Sequence, residues 1–337
     1  MATRRAGSGA RRAWRLCATT ARSRASSCRS PERPAHHHRE RRQRAVSDRR
    51  TLGFVGLGVM GGPMCANLTR KSGLPVVAYD AVPEALDAAA QAGADRAADL
   101  GDVAARADVV FLSLPSIVQV EEVVDQLLAA SRSPAVIVDM STSDVTRARA
   151  LAARTAAAGV TFVDAPVARL RQAAKDGTLL ITVGATPETF AELEPLLSCM
   201  GTDIVHAGGI GNGQVIKILN NMVVFQNVRA LAEALAIGRT AGVDGRLLFE
   251  TLQLGSADSF QLRNSAMATL VPDEFPTKTF PTLYAIKDLA LALKLAEDGG
   301  VHVRGAEQTM ELLEATRDAG YAENYYPAMI KLIDGRG

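Results

Sequence analysis

Short apolar runs separated by helix-like stretches set the pattern from Thr51 to about Gly209. The runs 52–55, 76–79, 109–114, 135–138, 161–163, 179–183 and 203–205 are nearly continuous in apolar residues. Stretches such as 117–130 and 145–157 carry helical periodicity between them. Continuous apolar strands alternating with helices predict a mainly parallel sheet covered on both faces. From Gly213 the pattern changes. Residues 215–240 read as one long helix, with no proline and one late glycine. Stretches 246–254, 282–298, 306–319 and 325–333 are helical with loop breaks, and no strand pattern is evident. The expected fold class is α/β, with a long helix leading into an all-α C-terminal domain. The expected division is a tail over 1–50, a sheet domain over 51–212 and a helical domain over 213–337.

One glycine run gives the first half a chemistry. Gly56-Leu57-Gly58-Val59-Met60-Gly61 follows the first apolar run, and a helix-like stretch follows it. Asp80 closes the second apolar run, about 20 residues on, as a dinucleotide fingerprint requires. The N-terminal domain is therefore expected to be of Rossmann type. Gly56 permits the tight turn, Gly58 lets a pyrophosphate approach the backbone, and Gly61 lets helix and strand pack closely. The helix N-terminus offers free N–H groups to phosphate. Asp80 would accept ribose hydroxyls and repel a 2′-phosphate, so NAD is expected in preference to NADP. The plainer reading of Asp80 is a cap on the loop before Pro83.

Composition narrows the class. Of 337 residues, 47% are hydrophobic and 4% aromatic, as in a globular protein rich in packed helices. No apolar run approaches the ~20 residues of a membrane span. Residues 1–50 hold 15 Arg, no Lys and three acids, a balance of +12. The remainder therefore stands at −10 against the chain total of +2. An acidic body offers nucleic acid no basic face. The Arg-rich tail has no hydrophobic periodicity and is expected to be disordered. Three readings of it stand open: a non-native upstream extension, a mitochondrial transit peptide, or a nucleic-acid-binding arm. The run His36-His37-His38 reads as solvated tail. Cysteines 17, 28, 65 and 199 form no CxxC or disulfide pattern, which fits a reducing, cytoplasmic compartment. Cys65 is expected in the core.

Two loops and one lysine are the remaining candidates. Leu114 and Pro115 close the 109–114 run, and Asp139-Met140-Ser141-Thr142 closes the next. Ligands of open α/β sheets bind beyond the carboxyl ends of strands. The Ser141 and Thr142 hydroxyls could bond nicotinamide ribose or substrate, or Thr142 or Ser143 could simply cap the following helix. Lys217 follows the glycine-rich segment 208–213 and sits among Val215, Ile216, Ile218 and Leu219. Desolvation would lower its pKa and suit it to acid–base work. Asn221 shares its helix face four residues on. The plainer reading is a surface lysine on an amphipathic helix.

Four motifs in order resemble the β-hydroxyacid dehydrogenase family, which includes 3-hydroxyisobutyrate dehydrogenase and tartronate semialdehyde reductase. They are the glycine run with Asn67-Leu68; Asp164-Ala165-Pro166-Val167 with Gly177-Thr178-Leu179; the Lys217/Asn221 segment; and Lys287-Asp288-Leu289. The resemblance covers about 53–334. It implies an NAD-dependent oxidoreductase that interconverts a short β-hydroxy acid and its semialdehyde, with Lys217 as acid/base and no metal. It implies that Asn221 holds the substrate and that Leu114, Pro115, Thr142 and Lys287 contact the nicotinamide side. Asp288 and Phe280 would line the closed site, and the enzyme would be a homodimer or homotetramer. Where the family usually has Ser-Gly-Gly, this chain has Ala168-Arg169-Leu170. Arg grips anions by paired hydrogen bonds. Arg169 is thus expected to rebuild the anion grip, for a sulfonate or dicarboxylate substrate, unless it points to solvent. Two further readings share the resemblance: a non-catalytic scaffold and an imine reductase. Relatives of both kinds generally lack the lysine.

Overall fold

A computed structural model describes residues 50–277 and 279–335. The expectations for the tail, including its histidines and Cys17 and Cys28, lie outside the described residues. Strands and helices alternate at first: β1 (Leu52–Val55), α1 (Gly61–Lys71), β2 (Val76–Tyr79), α2 (Pro83–Gln91), β3 (Asp95–Arg96), α3 (Leu100–Arg106), β4 (Val109–Leu112), α4 (Ile117–Ala129), β5 (Val136–Asp139), α5 (Val145–Ala157) and β6 (Thr161–Asp164). Then come β7 (Val167–Ala168), α6 (Arg171–Asp176), β8 (Leu179–Gly184), α7 (Pro187–Leu197) and β9 (Gly201–Gly208). The strands form one sheet in the order β3-β2-β1-β4-β5-β6-β8-β7, with β9 beside β8. Pairing is parallel except where β8 meets β6 and β7. The two-residue strands β3 and β7 are too short for a hydrophobic pattern to announce.

Strand β1 joins β2 on one side and β4 on the other, so the chain reverses its direction of spread there. That is the switch point where open α/β sheets take ligands. Strands β1 and β4 are wholly buried, with apolar clusters on both faces of the sheet. Cys65 is fully buried in one of them, and burial pushes its thiol up to about 12.

Helix α8 (Asn212–Thr240) is 29 residues long, roughly 43 Å at the helical rise. It is followed by α9 (Gly245–Gln253), a wide π-helical segment (Leu262–Leu270), α10 (Thr282–Asp298) and α11 (Arg304–Thr316). Two apolar clusters line α8: Phe225, Val228, Ala285 and Leu289 in one, Leu231, Leu235, Phe249 and Leu262 in the other. Among the described residues, no helix is long and apolar enough to cross a membrane.

Candidate active site

The glycine run turns directly off β1. Gly56 has φ 90°, and a Cβ there would lie 2.3 Å from the Ser113 carbonyl oxygen. A Cβ on Gly61 would lie 1.9 Å from the Gly56 oxygen, so only glycine lets α1 start against the strand. A Cβ on Gly58 would meet nothing within 4 Å. The first and third glycines are thus required by the fold, whereas the second keeps an open approach to the backbone. That cradle fits a pyrophosphate. Val59 is half exposed on the loop, and Met60 packs on the core beneath it. Beyond β2, the Asp80 carboxylate accepts Leu57 N–H at 2.5 Å and Val82 N–H at 2.8 Å. Asp80 thus shapes the loop before Pro83 and stands half-buried just beyond β2.

The loops after β4 and β5 are tied together, with Leu114 N–H donating to Ser141 Oγ at 2.9 Å. Thr142 is half-buried beside them. Neither Thr142 nor Ser143 caps α5. The cap is Asp144, which accepts Arg147 N–H at 2.9 Å. Ser143 instead donates to the buried Asp139 at 2.7 Å. Asp139 also accepts Ser141 N–H, yet its complete burial lifts its pKa to about 6.

A second buried carboxylate fixes the start of α8. Asp164 accepts Gly211 N–H at 2.7 Å and Gln214 N–H at 2.9 Å. Its pKa is raised by burial, against the pull of these backbone donors. Gln214 in turn accepts Ser143 N–H and donates to the Ser141 carbonyl. Position 213 must be glycine, because a Cβ there would lie 2.4 Å from the Thr182 carbonyl oxygen. Sequence reasoning quoted Asp139 and Asp164 within motifs without a role of their own, gave the Ser141 hydroxyl to ribose or substrate, and missed Gln214. For Asp139 and Asp164 the signal was a polar residue closing an apolar strand.

One turn into α8, Lys217 Nζ donates to Asn221 Oδ1 at 3.1 Å, and Asn221 Nδ2 donates to Asp288 Oδ2 at 2.7 Å. Asn221 and Asp288 are buried. Lys217 is half-buried in a cavity wall, and desolvation lowers its pKa from 10.5. The Asp288 charge opposes that shift and the Lys287 charge adds to it. Lys287 pairs with Asp288 Oδ1 at 3.1 Å and donates to the Pro115 carbonyl at 3.1 Å. So α10 reaches across to the loop after β4. A cavity of about 420 Å³ opens at Lys217. Ala168, Arg169, Asn221 and Phe280 border it. So do Phe225, Phe260, Tyr325 and Tyr326, for which helical periodicity gave no signal beyond core packing.

Arg169 departs from expectation. Its guanidinium pairs with Asp203 at 2.7 Å, donates to Thr202 Oγ1 at 3.2 Å and also to the Thr178 carbonyl. Asp203 lies below the usual carboxylate range, chiefly through Thr202 and then through Arg169. The anion grip expected of Arg169 is thus already taken by a carboxylate of β9. Arg169 also has φ 82°, a left-handed conformation that favours glycine. Among the described residues, no three of His, Cys, Asp and Glu converge as a metal-ligand group.

Comparison with known proteins agrees with this geometry. Residues 51–209 match the family model described as the NAD binding domain of 6-phosphogluconate dehydrogenase. Residues 211–333 match the one described as NAD-binding of NADP-dependent 3-hydroxyisobutyrate dehydrogenase. The chain is 34% identical over 284 residues to 2-(hydroxymethyl)glutarate dehydrogenase of Eubacterium barkeri, covering 83% of this chain and 94% of that protein. It is 34% identical over 298 residues to mitochondrial 3-hydroxyisobutyrate dehydrogenase of Rattus norvegicus, covering 86% and 89%. A solved structure of Mycobacterium tuberculosis 3-hydroxyisobutyrate dehydrogenase with L-serine aligns with a TM-score of 0.77 and 30% identity, over 85% of this chain and 99% of that one.

Proposed function

The chain belongs to the β-hydroxyacid dehydrogenase family of NAD-dependent oxidoreductases, and we propose that Lys217 is the group that moves the proton in its reaction. The reaction interconverts a short β-hydroxy acid and its semialdehyde. When bound, NAD supplies the acceptor for the hydride that leaves the carbinol carbon. In oxidation the neutral amine of Lys217 takes the hydroxyl proton as the C–H electron pair departs. In reduction its ammonium returns that proton to the alkoxide. The lowered pKa of Lys217 supports this role, because a base works best when its pKa lies near the working pH. Asn221 orients the amine and is itself oriented by Asp288. The Lys217–Asn221–Asp288 chain is the observation that carries the reading.

We read residues 51–212 as the cofactor domain and 213–337 as the domain that closes over the substrate. Gly56, Leu57, Gly58, Val59, Met60 and Gly61 would hold the pyrophosphate, and Asp80 the adenosine ribose. The Asp80 charge supports NAD over NADP. Leu114, Pro115, Thr142, Phe280 and Lys287 would face the nicotinamide half. Val223, Ile237, Leu247 and Leu254 are exposed apolar residues of α8, α9 and the turn after it, which supports a homodimer or homotetramer. The free thiols of Cys65 and Cys199 fit a cytoplasmic setting.

The test is NAD reduction with 3-hydroxyisobutyrate, glycerate and 3-hydroxypropionate by the protein and by Lys217→Ala. We expect kcat to fall by roughly 10²–10⁴-fold in the variant, with NAD affinity unchanged. Equal turnover by both proteins rejects the role of Lys217.

A further inference from the structure

The cavity at Lys217 is longer than a short hydroxy acid requires. Lys217, Asn221, Val224 and Asn227 recur along one side of α8, and all border it. Ten residues separate the first from the last, about 15 Å of helix. At roughly 30 Å³ per water-sized group, a seven-heavy-atom acid such as 3-hydroxyisobutyrate fills on the order of 200 Å³. That is about half of the 420 Å³ present.

The unused half has a definite chemistry. Its walls are Phe225, Phe260 and Tyr326. The Phe225 ring stands edge-on to Tyr326 at 5.0 Å, which makes a fixed aromatic wall. Farther along, the half-buried amides of Asn227 and Gln261 border the cavity, and neither side chain hydrogen-bonds within the described residues. The cations on the cavity wall are Lys217 and Arg169, and Arg169 is engaged by Asp203. A second anionic group inside would lose water without gaining a free counter-charge. An apolar arm would replace water along the aromatic wall at no such cost.

We infer that the substrate of this site is a β-hydroxy acid with one carboxylate and an apolar side arm of aromatic size. The arm lies along Phe225, Phe260 and Tyr326, and a neutral polar end is met by Asn227 and Gln261. This rests on the proposed reaction at Lys217. It replaces the dianionic substrate that Arg169 suggested from sequence.

The experiment uses the full chain with saturating NAD and three acids that differ only in the side arm. They are 3-hydroxyisobutyrate (methyl), 2-(carboxymethyl)-3-hydroxypropanoate and 2-benzyl-3-hydroxypropanoate. We expect kcat/KM for the benzyl acid to exceed both others by at least tenfold. Phe260 is largely exposed, and Phe260→Ala should shrink the benzyl-to-methyl ratio about tenfold with little change in Tm. Highest kcat/KM for the methyl or carboxymethyl acid overturns the inference while leaving the reaction intact. Absence of turnover with all three acids rejects the reaction. Calorimetry on the NAD-loaded protein then still tests the arm: tenfold tighter binding of the benzyl than the methyl acid supports it, and equal binding overturns it.

Discussion

Lys217 Nζ lies 3.1 Å from Asn221 Oδ1, one helical turn along α8, and Asn221 in turn donates to the buried Asp288 at 2.7 Å. The arrangement puts a negative charge within electrostatic reach of the lysine without a direct ion pair. A direct carboxylate partner would hold the ammonium charged and idle. An intervening amide passes orientation on and weakens the charge, so desolvation remains the larger influence on Lys217.

That balance predicts two opposite shifts in pH dependence. Lys217 must be neutral to accept the hydroxyl proton, so kcat/KM for oxidation rises with pH through its lowered pKa. Asp288 raises that pKa and Lys287 lowers it. Asp288→Asn should therefore move the rising limb to lower pH, and Lys287→Met to higher pH. The measurement is the pH profile of kcat/KM for NAD reduction. A purely structural role would depress the rate and leave both midpoints in place.

Arg169→Gly tests whether the guanidinium serves the fold or the substrate. A left-handed conformation costs a non-glycine residue roughly 1–2 kcal/mol. The solvent-exposed pair with Asp203 returns less than that. The variant should be as stable as the parent or more stable by up to about 1 kcal/mol, as read by urea denaturation. Its KM for hydroxy acid should change less than about twofold. A tenfold rise in KM would show that Arg169 leaves Asp203 to hold the substrate.

Asp139 gives a stability prediction with a definite sign. Its folded pKa of about 6 lies above the unfolded value near 3.9. Between these values the folded chain binds the extra proton. The stabilisation is therefore complete below about pH 4 and is lost as pH rises through 6. The shift corresponds to about 3 kcal/mol. Asp139→Asn keeps the shape, lets the amide donate to Ser143 Oγ and removes the titration. Measured by denaturation, the variant should gain about that much relative to the parent between pH 4 and pH 7. A constant difference between the two proteins would rule out a titrating Asp139.

How much of this was legible in the sequence depends on how far apart the partners lie in the chain. The parallel sheet followed from apolar runs that need no alternation when both faces are covered. Lys217 and Asn221 were readable as neighbours because four residues on a helix fix a geometry. The Arg169–Asp203 pair spans 34 residues and two strands, so nothing local announced that the guanidinium was already engaged. The same holds for Asp164, whose acceptors face backbone donors 47 and 50 residues away. Local competition decided the cap of α5. Asp144 took it because Ser143 was drawn to Asp139.

The glycine run allows the cofactor's demand to be separated from the fold's. Gly61→Ala would drive a methyl group to 1.9 Å from the Gly56 carbonyl oxygen, a backbone atom with no room to withdraw. Overpacking of this kind costs about 1–3 kcal/mol or more, so Tm should fall with or without NAD. Gly58→Ala adds a methyl group to open space, so the apo protein should keep its Tm. The same methyl would stand where the pyrophosphate approaches the backbone. KM for NAD should then rise roughly tenfold, equivalent to about 1.4 kcal/mol of lost binding, and the stabilisation of Tm by added NAD should shrink. Thermal denaturation of both variants with and without NAD, together with KM, reads all of these effects. Unchanged KM in Gly58→Ala would mean that the cofactor crosses the loop elsewhere, and a lowered apo Tm would mean that Gly58 serves the turn itself.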